Sequence, residues 1–246
     1  MNPSVRSRMS TARILCLAIA AAALAMLLAS GPGTRLGIWP WQAGLALLKW
    51  AVYTGCAAAA IALVLLLLSA VPRWRAGVWM PLLALCVALA AIAPPLILLG
   101  EARKVPPIHD ISTDTVDPPA FEALAAERAK WPNGAAYGGA VVAAQQTRAY
   151  PDVKPLVVKA DPRETMQRAI DAARAMGWEV VASDAASGRI EATARTFWFG
   201  FRDDVVVRIR PEGAGSRVDV RSVSRVGKSD IGTNAKRVRE FLARLA

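Results

Sequence analysis

The segment of the sequence richest in groups that could do chemistry is RSVSRVGKSDIGTNAKR, residues 221–237. It follows a predicted strand and enters a predicted helix, so its backbone amides approach the positive end of that helix. Helix starts with arginine, lysine and serine beside them attract phosphate or carboxylate groups. We therefore consider an anion site or partner surface formed by Asp203, Asp204, Arg221, Ser222, Ser224, Arg225, Lys228, Asp230, Asn234 and Arg237.

The same segment also fits a purely structural role, which the sequence favours. Short polar side chains such as that of Asp230 can cap the helix amides from within the chain. Asp230 is also predicted to pair with Arg225 or Arg237. Asn234 shares a helical stripe with Phe241, and this turns it inward. Either role leaves the segment at a corner of the domain.

A pair of adjacent carboxylates, Asp203 and Asp204, ends the segment TFWFGFRDD, residues 196–204. Two such groups could serve as acid and base or hold a cation. Neighbouring strand positions point to opposite faces, however, so the two cannot easily share one substrate. We expect one of them instead to pair with Arg221 or Arg225 across a hairpin.

Four aromatic residues crowd the same segment where the strands should turn: Phe197, Trp198, Phe199 and Phe201. Such a cluster can belong to the core, form a partner surface or lie on lipid. Burial in the core is the preferred prediction.

The histidine His109 stands beside Asp110 and Asp114 in IHDISTD, where the three could bind a divalent ion or supply a base. The sequence has no second histidine, and no cysteine beyond residue 100. Phosphate-loop, dinucleotide, zinc and Ser-His-Asp patterns are absent as well. The segment is therefore predicted to form turns, and we predict no catalytic residue, metal or cofactor.

Three uncharged apolar stretches occupy the first hundred residues, at 14–30, 51–71 and 78–100. Each approaches the length that crosses about 30 Å of hydrocarbon as a helix. None carries the ionisable group that an ion pathway needs, so residues 1–100 are predicted to be a membrane anchor. The first stretch could alternatively be a cleaved signal peptide.

The orientation of the anchor follows from its arginines and lysines, which favour the inner side. Arg6, Arg8, Arg13, Arg73 and Arg75 would lie inside, against Arg35, Lys49, Arg103 and Lys104 outside. The C-terminal part is thus expected on the outer side, the bacterial periplasm. Because the basic excess concentrates beside the spans, nucleic acid is not an expected partner.

Beyond the anchor, residues 101–155 read as an extended Pro- and Asp-rich strap with one short helix near 119–131. Residues 156–246 show the order strand, helix, four strands, helix. Asp161 is predicted to cap the first helix, and Arg208 to face Asp219 in the last hairpin. The predicted fold is an α+β domain: an antiparallel β-sheet with two helices on one face.

Four separated segments resemble the bacterial family called domain of unknown function 1499, in its membrane-anchored form. They are PPIHDISTDTVDPPAF, YPDVKPL, IEATARTFWFGFRDDVVVRIRP and VRSVSRVGKSDIGTNAKRVREFL, and the resemblance covers roughly residues 107–243. The resemblance implies a small α+β domain, often attached to an envelope membrane, without an established reaction. It also implies that the family's characteristic positions fall on Asp203, Asp204, Arg221, Ser222, Ser224, Arg225, Gly227, Asp230, Gly232 and Asn234.

These observations together favour a non-enzymatic inner-membrane protein. Its domain would bind a partner protein or an anionic lipid headgroup at the outer face of the lipid bilayer. The alternative is a hydrolase or transferase that acts on an anionic envelope molecule, with Arg221 and Arg225 as a clamp and Asp203, Asp204 or His109 as proton handlers. A third possibility is a structural spacer.

Overall fold

The structure, a computed structural model, describes the backbone of residues 3–71 and 77–246 and the side chains from residue 7 onward in those ranges. The chain divides into two compact units. Residues 1–100 with Trp198–Gly200 form the first, and residues 101–197 with 201–246 form the second. Arg73 and Arg75, predicted to lie on the inner side of the membrane, fall outside the described residues, as does the side chain of Arg6.

Three long helices make up most of the first unit: α1 (Pro3–Arg35), α2 (Trp41–Ala70) and α3 (Trp79–Ala102). The shortest has 24 residues, which at about 1.5 Å per residue gives about 36 Å. All three are long and apolar enough to cross a membrane. The three predicted apolar helices are therefore confirmed, and Pro94 and Pro95 lie within α3.

Small side chains fill the interfaces between these helices. At Gly55 an added Cβ atom would lie 2.8 Å from the side chain of Ile92, so the two helices approach closely there. Close approach of this kind lets helices gain dispersion energy in a lipid environment, where the hydrophobic effect does not drive them together. Buried residues of this core include Cys16, Ala20, Ala58, Ala62, Ala84 and Ala88.

The second unit is built on a six-stranded sheet in which every pairing is antiparallel. Its strands are β1 (Asp110–Ser112), β2 (Leu156–Val158), β3 (Glu179–Asp184), β4 (Arg189–Arg195), β5 (Arg202–Glu212) and β6 (Gly215–Ser224). The order is β1-β6-β5-β4-β3, with β2 also paired to β6. Arg208 faces Asp219 in the β5–β6 register, and its Nη2 donates to Oδ2 of Asp219 at 3.2 Å, as predicted.

Two helices, α6 (Pro162–Ala175) and α7 (Thr233–Ala243), pack on one face of this sheet. Helix α6 begins as predicted, because the Asp161 carboxylate accepts a hydrogen bond from the amide of Glu164 at 2.9 Å. The main core lies between helices and sheet. There the rings of Trp178 and Phe241 stack with centroids 5.0 Å apart. The predicted α+β fold is confirmed.

The opposite face of the sheet is covered by the segment 113–137, in which Phe121 and Leu124 pack on Val206 and Val223. The short helix predicted near 119–131 is reduced to α4 (Ala125–Arg128), and a further helix, α5 (Gly139–Ala149), follows it. With β1 paired to β6, much of the segment predicted as a strap contributes to the sheet and its cover. The domain therefore has three layers: helices, sheet and covering segment.

Candidate functional site

The two adjacent carboxylates lie on opposite faces of the sheet, as the alternation of strand side chains requires. Asp203 faces the helices and accepts a hydrogen bond from Nη2 of Arg237 at 2.6 Å. Asp204 faces the covering segment, and Nη1 of Arg128 donates to it at 2.7 Å. Because Asp203 and Asp204 lie on opposite faces and each is buried against an arginine, they do not form a shared acid–base pair.

Asp204 is the centre of a network that joins the sheet to the covering segment. Arg225 donates to its two carboxylate oxygens from Nε and Nη2, each at 2.9 Å, so this predicted pairing is confirmed. Thr193 adds a hydroxyl hydrogen bond at 2.8 Å. The remaining Nη1 of Arg225 donates to Glu127 at 2.9 Å. The two positive charges of Arg128 and Arg225 are thus balanced by the negative charges of Asp204 and Glu127, and both oxygens of the buried Asp204 carboxylate accept hydrogen bonds.

The electrostatics of this network show opposite effects in its interior and at its edge. Desolvation by burial lowers the pKa of Arg128, and the charge of Asp204 acts against that shift. At the edge, hydrogen bonds from Lys130 and Trp131 lower the pKa of Glu127 to about 2. Glu127 therefore stays ionised opposite Arg225 down to low pH.

Arg221 forms a second buried pair, with Asp110 of strand β1. Its Nε and Nη2 donate to the two carboxylate oxygens at 2.9 and 2.8 Å. Nη2 also donates to the carbonyl oxygen of Ala135 at 3.1 Å. The ring of Tyr137 lies beside the guanidinium, 5.3 Å away, and burial raises the pKa of that tyrosine to about 12. Of the two arginines predicted as partners of Asp203 or Asp204, Arg225 takes that role, and Arg221 is bound by Asp110 of β1.

On the helix side of the sheet, Arg237 and Asn234 of α7 bind the last residues of β6. The hydroxyl of Ser222 donates to Oδ1 of Asn234 at 2.7 Å, and Nη1 of Arg237 donates to the same hydroxyl oxygen at 3.0 Å. Nδ2 of Asn234 donates to Oγ of Ser224 at 3.0 Å. Asn234 is fully buried, as its helical stripe predicted.

Asp230 caps helix α7 through its carboxylate. Oδ1 accepts from the amide of Gly232 at 2.9 Å, and Oδ2 accepts from the amide of Asn234 at 2.7 Å. The predicted pairing of Asp230 with Arg225 or Arg237 is wrong, because those arginines are bound to Asp204 and Asp203 on the sheet. Desolvation by burial raises the pKa of Asp230. Its carboxylate thus stands at amides that a ligand anion would otherwise use.

The loop that carries Asp230 is strained at one point. Ile231 has φ of 55°, a left-handed conformation that β-branched residues rarely adopt. The amide of Ile231 donates to Oγ of Ser229 at 3.2 Å, and the Asp230 carboxylate accepts from the amides of Gly232 and Asn234. Lys228 lies exposed at the start of this loop. These hydrogen bonds stabilise the strained turn.

Residues 110–245 match the family model described as Protein of unknown function (DUF1499). The match covers more than half of the chain, including β1, the sheet and α7. The chain belongs to the DUF1499 family. None of the curated proteins shows significant sequence similarity to it.

His109, which lies just before the family match, does not meet the two carboxylates near it in sequence. Nδ1 of His109 lies 3.5 Å from the carbonyl oxygen of Lys228. Asp110 binds Arg221, and Oδ2 of Asp114 accepts from Arg217 at 2.9 Å. Within the described parts of the chain, no three histidine, cysteine or acidic side chains come together in a way that could hold a metal ion.

The aromatic turn of the DUF1499 domain is only partly buried. Phe199 is buried, but Phe197 has 84% of its surface exposed, so for Phe197 the predicted core position is wrong. Phe197 stands in the turn beyond the last paired residues of the two strands, Arg195 and Arg202.

Sequence reasoning missed several members of the buried network. Glu191 is one of them: it alternates along β4 with the apolar residues Ile190 and Ala192, a position typical of a solvated face, yet it is fully buried. Its two carboxylate oxygens accept from the amides of Glu122, Ala123 and Leu124 at 2.6, 3.2 and 2.8 Å. Arg128 and Asp110 were missed as partners as well. One signal was available: the predicted pairing of Arg208 with Asp219 puts charged groups on the sheet face opposite the helices, where charged groups of another segment can bind them.

Proposed function

We propose that this DUF1499 protein is a membrane-anchored, non-catalytic binding protein whose domain recognises anionic headgroups at the bilayer surface. One observation carries the proposal. The carboxylates and guanidinium groups that could do chemistry neutralise one another in the interior, and the exposed charge of the domain is predominantly basic. Such a distribution suits a surface that meets an anionic membrane.

The distribution can be counted in residues 101–246, all of which the structure describes. Five carboxylates are buried (Asp110, Glu191, Asp203, Asp204 and Asp219), as are four arginines (Arg128, Arg221, Arg225 and Arg237). Nineteen basic and fourteen acidic side chains remain outside the core. A basic residue near an anionic leaflet contributes about 1 kcal/mol before salt screens it.

The geometry of these residues argues against the enzyme alternative. A general acid or base must reach a substrate, whereas the carboxylates of Asp203 and Asp204 are buried and bound to arginines. Arg221 is held by Asp110 and two backbone carbonyls, which leaves it no role as a clamp. These contacts favour a structural role for the network over a hydrolase or transferase site.

We also propose that the domain lies on the outer face of a bacterial inner membrane. The support is the excess of arginine in the N-terminal tail and the second loop over the opposite side, five residues against four. The arginines of the tail carry the most weight, because the first span usually sets the orientation of the rest.

Hydrogen–deuterium exchange of the full chain in lipid nanodiscs tests headgroup recognition. Discs of phosphatidylcholine are compared with discs that also contain phosphatidylglycerol, at low and at high salt. We expect amides in exposed basic segments of residues 101–246 to be protected in the anionic discs, and the protection to weaken in high salt. Equal exchange in both kinds of disc would contradict the proposal and favour a partner protein as the ligand.

A further inference from the structure

The turn between β4 and β5, residues 195–202, combines features that the rest of the domain surface lacks. Phe197 is the most exposed aromatic side chain among the described residues of 101–246. Trp198 and Phe201 are partly exposed beside it, and the segment RTFWFGFR contains no acidic residue. A cluster of aromatic and basic residues is typical of segments at a membrane–water interface.

The turn is held in shape by its own hydrogen bonds. The amide of Thr196 donates to the carbonyl oxygen of Phe201 at 2.9 Å, and the amide of Phe201 donates back to Oγ1 of Thr196 at 2.9 Å. Gly200, with φ of 67°, supplies the left-handed residue that closes the turn. The aromatic side chains are therefore presented on an ordered tip, which lowers the entropy cost of binding a surface.

Two arginines stand directly opposite each other at the base of the tip. Arg195 pairs with Arg202 in the β4–β5 register, an arrangement in which like charges repel. Arg195 has an exposed partner in Glu179 at 3.6 Å. Arg202 is exposed and makes no ion pair with the side chains that the structure describes. The repulsion is relieved if both guanidinium groups meet an external anion.

We infer that this turn is an interfacial membrane anchor, in which Phe197 enters the headgroup region and Arg195 and Arg202 bind lipid phosphate groups. The inference deepens the proposed function and rests on it for the nearness of the domain to the bilayer. Two features of the molecule indicate lipid as the ligand of this turn. The chain carries three helices able to span a membrane, and the tip combines an apolar ring with the positive charge of Arg202, for which the described side chains provide no ion pair.

Depth-dependent quenching in the full chain tests this anchor. The three native cysteines are replaced, and a single Phe197→Cys variant is labelled with an environment-sensitive fluorophore and reconstituted in vesicles. Lipids spin-labelled at the headgroup or in the acyl chain then quench the fluorophore. The matched control is Ala214→Cys, an exposed position in the β5–β6 turn at the other end of the eleven-residue β5, about 35 Å away.

We expect the label at 197 to be quenched severalfold more strongly than the label at 214, with the headgroup quencher most effective. The charge-removing double variant Arg195→Gln and Arg202→Gln should weaken quenching at 197, and both side chains are exposed, so the fold tolerates the change. Equal quenching at 197 and 214 would overturn the anchor. Quenching at 197 that the double variant leaves unchanged would overturn the role of the arginines.

The same experiment separates this inference from the proposed function. Strong quenching at 197 in phosphatidylcholine vesicles as well as anionic ones supports the anchor and contradicts a preference for anionic headgroups, since phosphatidylcholine also carries a phosphate. Exchange protection that depends on anionic lipid, together with no quenching at 197, supports the proposed function and overturns the anchor.

Discussion

Replacing Asp204 by asparagine should strongly destabilise the DUF1499 domain. The carboxylate of Asp204 receives one hydrogen bond from Arg128, two from Arg225 and one from Thr193. Asparagine keeps the size of the side chain but removes the charge, and one of its two acceptor oxygens becomes a donor. Arg128, which is fully buried, then loses its only carboxylate partner among the described residues.

The expected magnitude follows from the burial of both partners. Removing one member of a buried ion pair costs about 3–5 kcal/mol, because the other charge is left uncompensated. For a unit of this size each kcal/mol lowers the melting temperature by about 2–4 °C, so Asp204→Asn should lower it by about 6–20 °C. Thr193→Val removes a single donor from the same carboxylate, and we expect an intermediate loss of about 1–3 kcal/mol.

The assay is thermal unfolding of the full chain in detergent micelles, followed by the far-ultraviolet signal of the sheet and by amide exchange in β5 and β6. The matched control is Asp171→Asn on the exposed side of α6, where Asp171 contacts Gln167 and lies 4.0 Å from Arg174. That change should stay within about 0.5 kcal/mol of the native protein. A loss below about 1 kcal/mol for Asp204→Asn would refute the structural role of the network.

Three further predictions rest on other parts of the molecule. The pKa of Glu127 is lowered from 4.5 to about 2, chiefly by the hydrogen bond from Lys130, so the stability that this carboxylate contributes is complete above pH 4.5 and is lost as the pH falls toward 2. In acid-unfolding curves the stability advantage of the native protein over Glu127→Gln should therefore shrink across that range. A difference that stays constant would contradict this prediction. Gly188→Ala should be more destabilising than Gly213→Ala. Both glycines have positive φ, which costs a substituted residue about 1–3 kcal/mol, but only at 188 would the new Cβ meet a backbone atom, the carbonyl oxygen of Ile209 at 2.1 Å. Equal melting temperatures of the two variants would contradict this prediction. Alkaline phosphatase fused after Ala246 should be active and a cytosolic reporter at the same position silent, and the reverse pattern would contradict the outer placement of the domain.

The fold could be predicted largely from local signals. Alternation of apolar and polar residues located the β5–β6 hairpin and placed Arg208 opposite Asp219, because strand register decides which side chains meet. The cap at Asp161 was predictable for a similar reason, since it depends on residues within one turn. The apolar helices followed from length and the absence of charge. Each of these features is encoded within a short stretch of sequence.

The buried network depends instead on contacts between distant segments. Arg128 lies 76 residues from Asp204, and Asp110 lies 111 residues from Arg221. The covering segment has no strong periodicity, so the sequence did not indicate that it packs on the sheet. Glu191 is buried by the same segment, because its carboxylate binds three amides of that segment. The cap that Asp230 forms was predicted, whereas the arginine partner predicted for it was wrong, because Arg225 and Arg237 bind carboxylates of strand β5.

The central claim is that the arginines of the 221–237 corner, Arg221, Arg225 and Arg237, are closed inside the domain, bound to buried carboxylates and unavailable to a ligand. Modification of the folded full chain by phenylglyoxal, which reacts with accessible guanidinium groups, measures this directly when each site is read by mass spectrometry. Arg202 is exposed and serves as the internal reference, while Arg221 and Arg225 are buried. We predict rapid modification of Arg202 and protection of Arg221 and Arg225 until the domain unfolds. Modification of Arg221 or Arg225 at the rate of Arg202 would contradict the claim and reopen the corner as a ligand site.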